Sequence, residues 1–349
     1  MNKSQSQKRT SVRFHMPLLT VIFAGMAASA MSNTSLTFTA EQLRLPGKRG
    51  ACLTLRDPAT RNRGTWDEHL PKLARIQPYW NYSWGAYWVP QQTNYINSEF
   101  IPMIWGRRRN LQEVLDREIV PLIEDGTIKR VLGFNEPDKE NQANMTYMEA
   151  IEAWPALMAL GVPLVSPAPA NPVGRADPSD QGVRGTWMRD FMREVEERNY
   201  RVDYIGVHWY GGTNVESFKD RMRLIYEMYG ERPLLITEFS PANWRTRGDF
   251  TRNRHTPARV LAFAKEVLPW IEEQDWILGY AWYSFRIHEP QGYTSALFFE
   301  DGSLTALGRY YASITNENPR GDQSIEPDDA EAFLERALAA RERWEEKNK

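Results

Sequence analysis

Two glutamates in this chain stand where a carboxylate is costly. Glu136 ends the run Val131-Leu132-Gly133-Phe134-Asn135-Glu136-Pro137-Asp138, and Glu238 lies near the end of Pro233-Leu234-Leu235-Ile236-Thr237-Glu238-Phe239. Such apolar runs read as strands covered on both faces. A charge at the end of a buried strand must be paired or used. Taken singly, each glutamate reads as structural, and an isolated Asn-Glu-Pro is a strand-to-loop turn whose polar groups satisfy backbone donors. As a pair they suit glycoside hydrolysis, where one carboxyl protonates the leaving oxygen and the other attacks or activates water.

The ends of the neighbouring runs fit the same chemistry. They carry Trp80-Asn81-Tyr82, Trp105-Gly106, Asn135, His208-Trp209-Tyr210 and Trp282-Tyr283-Ser284-Phe285. Aromatic faces stack on the apolar faces of sugar rings while a few polar groups fix the hydroxyls. Competing chemistries lack their parts. There is no Gly-x-Ser-x-Gly elbow. The histidines (His15, His69, His208, His255, His288) form no His-Glu-x-x-His metal motif. The single Cys52 allows neither an intrachain disulfide nor a thiolate cluster. The expectation is a site with no metal and no organic cofactor. His208 alone among the histidines sits at a strand end, where orienting a glutamate, binding a sugar and filling the core remain open readings.

The elements that must position these residues alternate. Eight apolar runs read as strands: 50–54, 76–82, 99–105, 130–136, 162–167, 202–210, 233–239 and 277–285. Between them, helical periodicity appears over 111–123, 147–160, 188–198, 218–229 and 258–271, with Pro155 expected to kink or split the second of these. Alternation of this kind predicts parallel βαβ units. Eight strands in this length match an α/β (β/α)8 TIM barrel, whose chemistry sits at the C-terminal strand ends. Asp203, at the start of its strand, is expected on the opposite, stabilising face. An open doubly wound sheet would carry a glycine-rich phosphate turn after its first strand, which is absent.

The N-terminus has the pattern of a secretory signal: Lys3, Lys8, Arg9 and Arg13, an apolar run over 16–28, and Ala28-Ser29-Ala30 as a cleavage site. The run is short for a membrane span. Removing residues 1–30 takes the formal charge from −2 to −6. A mildly acidic chain without a basic block is a poor match for nucleic acid and suits a neutral ligand. With 42% hydrophobic residues in 349, the core is large enough to need no disulfide. The expected organisation is a signal over 1–30, a loosely packed lead-in over 31–47, a single catalytic domain over 48–315, and a polar linker with a charged C-terminal helix over 316–349. That helix should start at Asp328-x-x-Glu331 and present Phe333, Leu334, Leu338 and Trp344 as its apolar stripe.

Several motifs resemble those of glycoside hydrolase family 128, in the family's order: Lys48-Arg49-Gly50, Trp80-Asn81-Tyr82-Ser83-Trp84-Gly85, Phe100-Ile101-Pro102-Met103-Ile104-Trp105-Gly106, Leu132-Gly133-Phe134-Asn135-Glu136-Pro137-Asp138, Ser166-Pro167, Val207-His208-Trp209-Tyr210 and Ile236-Thr237-Glu238-Phe239. The resemblance implies a retaining endo-β-1,3-glucanase acting on β-glucan. Together with the signal pattern, the expectation is a secreted monomer, extracellular or periplasmic, with no membrane contact once the signal is removed. The resemblance implies Glu136 as acid/base and Glu238 as nucleophile, with Asn135 near the sugar 2-hydroxyl. It also implies Trp282 as an aromatic platform beside the −1 subsite and Tyr210 as a contact of the nucleophile, while Trp80, Asn81, Trp105, His208 and Trp209, at the strand ends, are expected to complete the sugar-binding mouth. A proton donor at Glu136 is expected to have a raised pKa, from desolvation or from the Glu238 charge. The segment after Glu238 and the charged loop over 169–185 depart most from the family pattern. The alternatives are a glucan-binding protein on a retired hydrolase core and a hydrolase of another β-glycan.

Overall fold

The computed structural model describes residues 36–55, 66–173 and 187–349. The signal-like N-terminus and most of the charged loop over 169–185 lie outside these residues. Eight strands start within the eight apolar runs, with β6 and β7 running past the expected ends: β1 (Gly50–Cys52), β2 (Trp80–Tyr82), β3 (Glu99–Phe100), β4 (Val131–Leu132), β5 (Leu164–Val165), β6 (Ile205–Gly211), β7 (Leu234–Pro241) and β8 (Ile277–Trp282). All ladders are parallel, in the groups β1-β2-β3, β4-β5 and β6-β7-β8. Single parallel bridges join the groups: Met103 to Leu132, Val165 to Tyr204, and Tyr280 back to Arg49. Each strand therefore neighbours the one before and after it in sequence, as βαβ units require. An interior cluster takes side chains from or beside all eight, including Cys52, Tyr82, Met103, Leu132, Val165, Tyr204, Leu235 and Ala281. Gly133 permits the closest approach, since a Cβ there would meet the Ser166–Pro167 backbone at 2.8–2.9 Å.

The helices are α1 (Ala40–Leu43), α2 (Trp66–Ile76), α3 (Leu111–Val114), α4 (Val120–Glu124), α5 (Tyr147–Met158), α6 (Trp187–Glu197), α7 (Val215–Met228), α8 (Pro257–Glu273), α9 (Ala306–Ser313) and α10 (Ala330–Lys347). A π-turn over Leu115–Ile119 joins α3 to α4 just before Pro121, whose ring lacks an amide donor. Contrary to expectation, α5 runs through Pro155 unbroken. Buried Trp154 and Leu157 pin it on either side, the Trp154 indole donating to the Arg201 carbonyl at 2.8 Å.

At the strand starts, cations hold helix ends and the lead-in. Lys48 Nζ donates to the carbonyls of Ile271, Glu272 and Gln274 at the end of α8, at 2.8–3.0 Å. Arg49 does the same for Ile76 and Gln77 after α2 and for Ile314 after α9. Such donors satisfy orphan carbonyls. Asp203 lies at this face, accepting from the Leu164 amide and Arg201. The lead-in is not loose over its described residues. Thr39 and Gln42 form a capping box for α1, and Arg130 donates to the carbonyls of Leu43 and Arg44 at 2.8 and 3.0 Å. The same guanidinium pairs with buried Glu99 at 2.6 Å.

At the C-terminal end Asp329, not Asp328, caps α10; Asp328 instead accepts from the Ala306 amide at 2.7 Å in the first turn of α9, whose N-cap is Thr305. The buried stripe is Phe333, Ala337 and Ala340, packed with Phe250, Ile287, Tyr293 and Phe299. Leu338 is exposed. Short alanines, which carry little hydrophobic signal, let the helix approach closely.

Candidate active site

Glu136, just beyond β4, and Glu238, within the second half of β7, meet over His208 of β6. His208 Nδ1 lies 3.2 Å from Glu136 Oε1 and 3.5 Å from Glu238 Oε2. One carboxylate oxygen of each glutamate and one nitrogen of this imidazole all fall within 4.8 Å of one another. All three residues are buried. Glu238 Oε2 accepts the Tyr210 hydroxyl at 2.5 Å. Its Oε1 accepts the Trp84 indole at 2.7 Å and lies 3.2 Å from the Tyr82 hydroxyl. Glu136 Oε2 pairs with Lys139 Nζ at 2.8 Å. The β6–β7 register shifts just before Glu238 and the β7–β8 register shifts across Ile236–Phe239, which contains it, the usual device for re-aiming a side chain.

Backbone strain gathers here. Glu136 has φ +40° and Trp84 φ +53°, the left-handed region that non-glycine residues rarely occupy. Glu136 is held there by its amide bond to the Ala168 carbonyl at 2.9 Å, although a residue before proline prefers an extended backbone. Outliers of this cost mark sites where the surroundings over-determine the conformation.

The electrostatics reverse one expectation. Burial by itself would raise the Glu136 pKa, but the hydrogen bond and charge of His208, and then those of Lys139, pull it down to about 2. Burial opposes the charged imidazole, yet the carboxylates of Glu238 and Glu136 hold the His208 pKa above its ordinary value. Both shifts favour a proton on the imidazole and an ionised Glu136 in the unliganded protein. The Tyr82 and Tyr210 phenols are pushed well up by burial and then by the Glu238 charge, so both remain donors. Asn135 gives its amide Nδ2 to Gln142 at 3.2 Å, while Asn135 Oδ1 and His208 Nε2 are buried without a hydrogen-bond partner among the described residues. Such orphans in a polar site are open to a ligand hydroxyl.

Not every aromatic expected at the mouth is there. Trp80 is fully buried, donating its indole to the Lys48 carbonyl at 2.8 Å near the strand starts. Asn81, on the other face of β2, is also buried and bonds Ser98 at 2.9 Å. Trp209 turns outward and stacks on Phe263 of α8 (5.7 Å, 7°). Trp282 is sealed against Phe239, its indole donating to the Ser295 carbonyl. Neighbours in a strand face opposite sides, so Asn81, Trp209 and Trp282 are displaced by pleat, whereas Trp80 shares the inner face of Tyr82 and lies closer to the strand starts. The side chains at the mouth are Tyr82, Trp84 and Tyr283, with Trp105 half-buried on the same inner cluster. The spacing Trp80, Tyr82, Trp84 carried that signal: successive same-face residues climb from the strand start to Glu238. Trp244, largely exposed, extends the wall by packing on Tyr210 and Phe285 at 5.6 and 5.9 Å.

With this geometry the comparisons agree. The chain belongs to the family described as glycosyl hydrolase catalytic core, whose model matches residues 65–311, and within it to glycoside hydrolase family 128. Among solved structures it is similar to a subgroup II endo-β-1,3-glucanase of that family from Sorangium cellulosum, at 26% identity and TM-score 0.58, covering 77% of this chain and 98% of that one. It is likewise similar to a subgroup I endo-β-1,3-glucanase from Amycolatopsis mediterranei, solved in complex with laminaritriose, at 25% identity and TM-score 0.58, covering 77% and 99%. A subgroup V exo-β-1,3-glucanase from Cryptococcus neoformans shares the fold at 23% identity and TM-score 0.54, covering 76% and 98%. No curated protein matches. Among the described residues no helix is long and apolar enough to cross a membrane.

Proposed function

We propose that this protein is a secreted, monomeric, retaining endo-β-1,3-glucanase whose eight strands close as a (β/α)8 barrel. The parallel bridge from Tyr280 back to Arg49 and the interior cluster drawn from all eight strands support the closure. The observation that carries the function is the Glu136–His208–Glu238 cluster, with carboxylate oxygens within 4.8 Å. That separation suits direct attack, since retaining pairs sit about 5–5.5 Å apart and inverting pairs roughly 6.5–9.5 Å. The β-1,3 linkage rests on the sequence motifs and on the activities named for the similar structures.

In this reading Glu238, held by Tyr210, Trp84 and Tyr82, attacks the anomeric carbon while Glu136 protonates the departing oxygen. Glu136 then takes a proton from water, which releases the glucan with its configuration retained. The low pKa of Glu136 does not prevent this. His208 holds a proton 3.2 Å from Glu136 Oε1, and passing it across leaves a neutral imidazole and a protonated Glu136 with no uptake from solvent. Displacement of half-exposed Lys139 by the incoming sugar favours that transfer by removing the charge that stabilises the carboxylate. In this reading Asn135 meets the reacting sugar, a role its unpartnered Oδ1 supports.

The test is release of reducing ends from a panel of β-1,3-, β-1,4- and β-1,6-glucans, together with calorimetric binding. Hydrolysis confined to β-1,3-glucan, lost in Glu238→Gln with binding retained, is the expected result. Saturable binding without new reducing ends in the wild type would establish a retired hydrolase, and preference for another linkage would overturn the substrate.

A further inference from the structure

A cavity of about 450 Å³ lies beside Trp84, the indole partner of Glu238, and reaches the C-terminal helix. Trp84 and Tyr283 bound it on one side, and His288, Trp344 and Lys347 on another. Trp84 is the side chain that donates to Glu238 Oε1, whereas His208 lies by Oε2. The cavity therefore opens on the side of Glu238 away from Glu136. If Glu136 protonates the oxygen leaving toward the reducing end, this is the side of the glycone.

The volume falls in the range of roughly 300–1,000 Å³ typical of small-ligand sites. Its charged wall is balanced: Lys72, Arg286 and Lys347 against Glu68, Glu289 and Glu300. Burial first, and then nearby cations, lower the pKa values of His69 and His288, so both are neutral donors and acceptors. A balanced, hydrogen-bonding cavity with aromatic edges suits an uncharged polyol better than an anion or a cation. Its outer wall is fixed. Trp344 stacks with His288 (5.3 Å, 23°), and Arg343 of α10 pairs with Glu300 at 2.7 Å. The stripe of Phe333, Ala337 and Ala340 seats the helix. All of α10 lies beyond residue 311, where the family model's match ends.

We propose that this cavity is a distal glycone subsite of the glucan cleft, with Trp344 of α10 and His288 holding a glucosyl unit beyond the reacting ring. The inference rests on the hydrolase reading above. It makes α10 a determinant of substrate length, where its sequence marked it only as a peripheral helix.

The test compares kcat/KM for laminarihexaose and laminaritriose in the full-length protein, wild type, Trp344→Ala, Trp344→Phe and Leu338→Ala. The hexaose-to-triose ratio should fall roughly 3- to 10-fold in Trp344→Ala, the size of one aromatic contact. It should be largely restored in Trp344→Phe and match the wild type in Leu338→Ala, whose side chain is exposed on the same helix. An unchanged ratio in Trp344→Ala, or an equal loss on both oligosaccharides, would overturn the proposal. A wild-type protein that cleaves neither would overturn the hydrolase reading itself, so the two failures are distinguishable.

Discussion

Lys139 places its ammonium 2.8 Å from Oε2 of Glu136, three residues along the same turn. Asp138, between them in sequence, is tied to the Ala170 and Asn171 amides at 2.7 and 3.0 Å, so the turn is anchored while Lys139 stays half-exposed. The acid/base candidate is thus ion-paired in the resting protein, and loss of that partner favours its protonation.

Replacing that partner should move the pH profile in a defined direction. Glu136 is held at about 2 by His208 and Lys139 against the opposing effect of burial. Lys139→Met removes one of the two cations, so the affinity of the Glu136–His208–Glu238 cluster for its proton rises. An acid catalyst must be protonated to work, so the alkaline limb of kcat/KM should shift to higher pH. An unshifted limb would show that Lys139 does not set the charge state of Glu136.

Tyr210→Phe deletes the 2.5 Å hydrogen bond to Glu238 Oε2 and leaves the ring packed on Tyr283 and Trp244. Hydrogen bonds to charged groups are worth about 1.5–3 kcal/mol. Turnover on β-1,3-glucan should fall about 10- to 100-fold, with thermal stability little altered. Unchanged turnover would remove Tyr210 from the positioning of Glu238.

Far from the site, Arg130 carries the stability of the strand-start face. It joins buried Glu99, the Tyr204 hydroxyl and the carbonyls of Leu43 and Arg44. Arg130→Met leaves Glu99 buried without its cation, which typically costs about 3–5 kcal/mol. Chemical denaturation should register that loss. A loss below about 1 kcal/mol would show that water reaches Glu99.

The strands were legible because each is a short apolar run bounded by proline, glycine or charge, and an observed strand starts within each of the eight. Glu136 and Glu238 were legible because a carboxylate ending such a run has few structural excuses. The aromatic mouth was read less well. Nearness to a strand end does not decide orientation: pleat turns Trp209 and Trp282 outward to the helices, and Trp80 points inward but near the strand starts. Bulges beside Glu238 add register shifts that no alternation rule supplies. Lys139 and the wall of α10 were missed for another reason: their roles depend on tertiary contacts, with Glu136 three residues away and with His288 across the fold. The charge state of Glu136 likewise follows from how closely His208 approaches, a distance the sequence does not encode locally.

The most direct measurement is the anomeric configuration of the product first released, followed by proton NMR during wild-type hydrolysis of a reduced β-1,3-gluco-oligosaccharide. Attack by Glu238 followed by Glu136-assisted water predicts that the β-anomer appears first and mutarotates to the α-anomer. Initial release of the α-anomer would contradict the double displacement assigned to this pair.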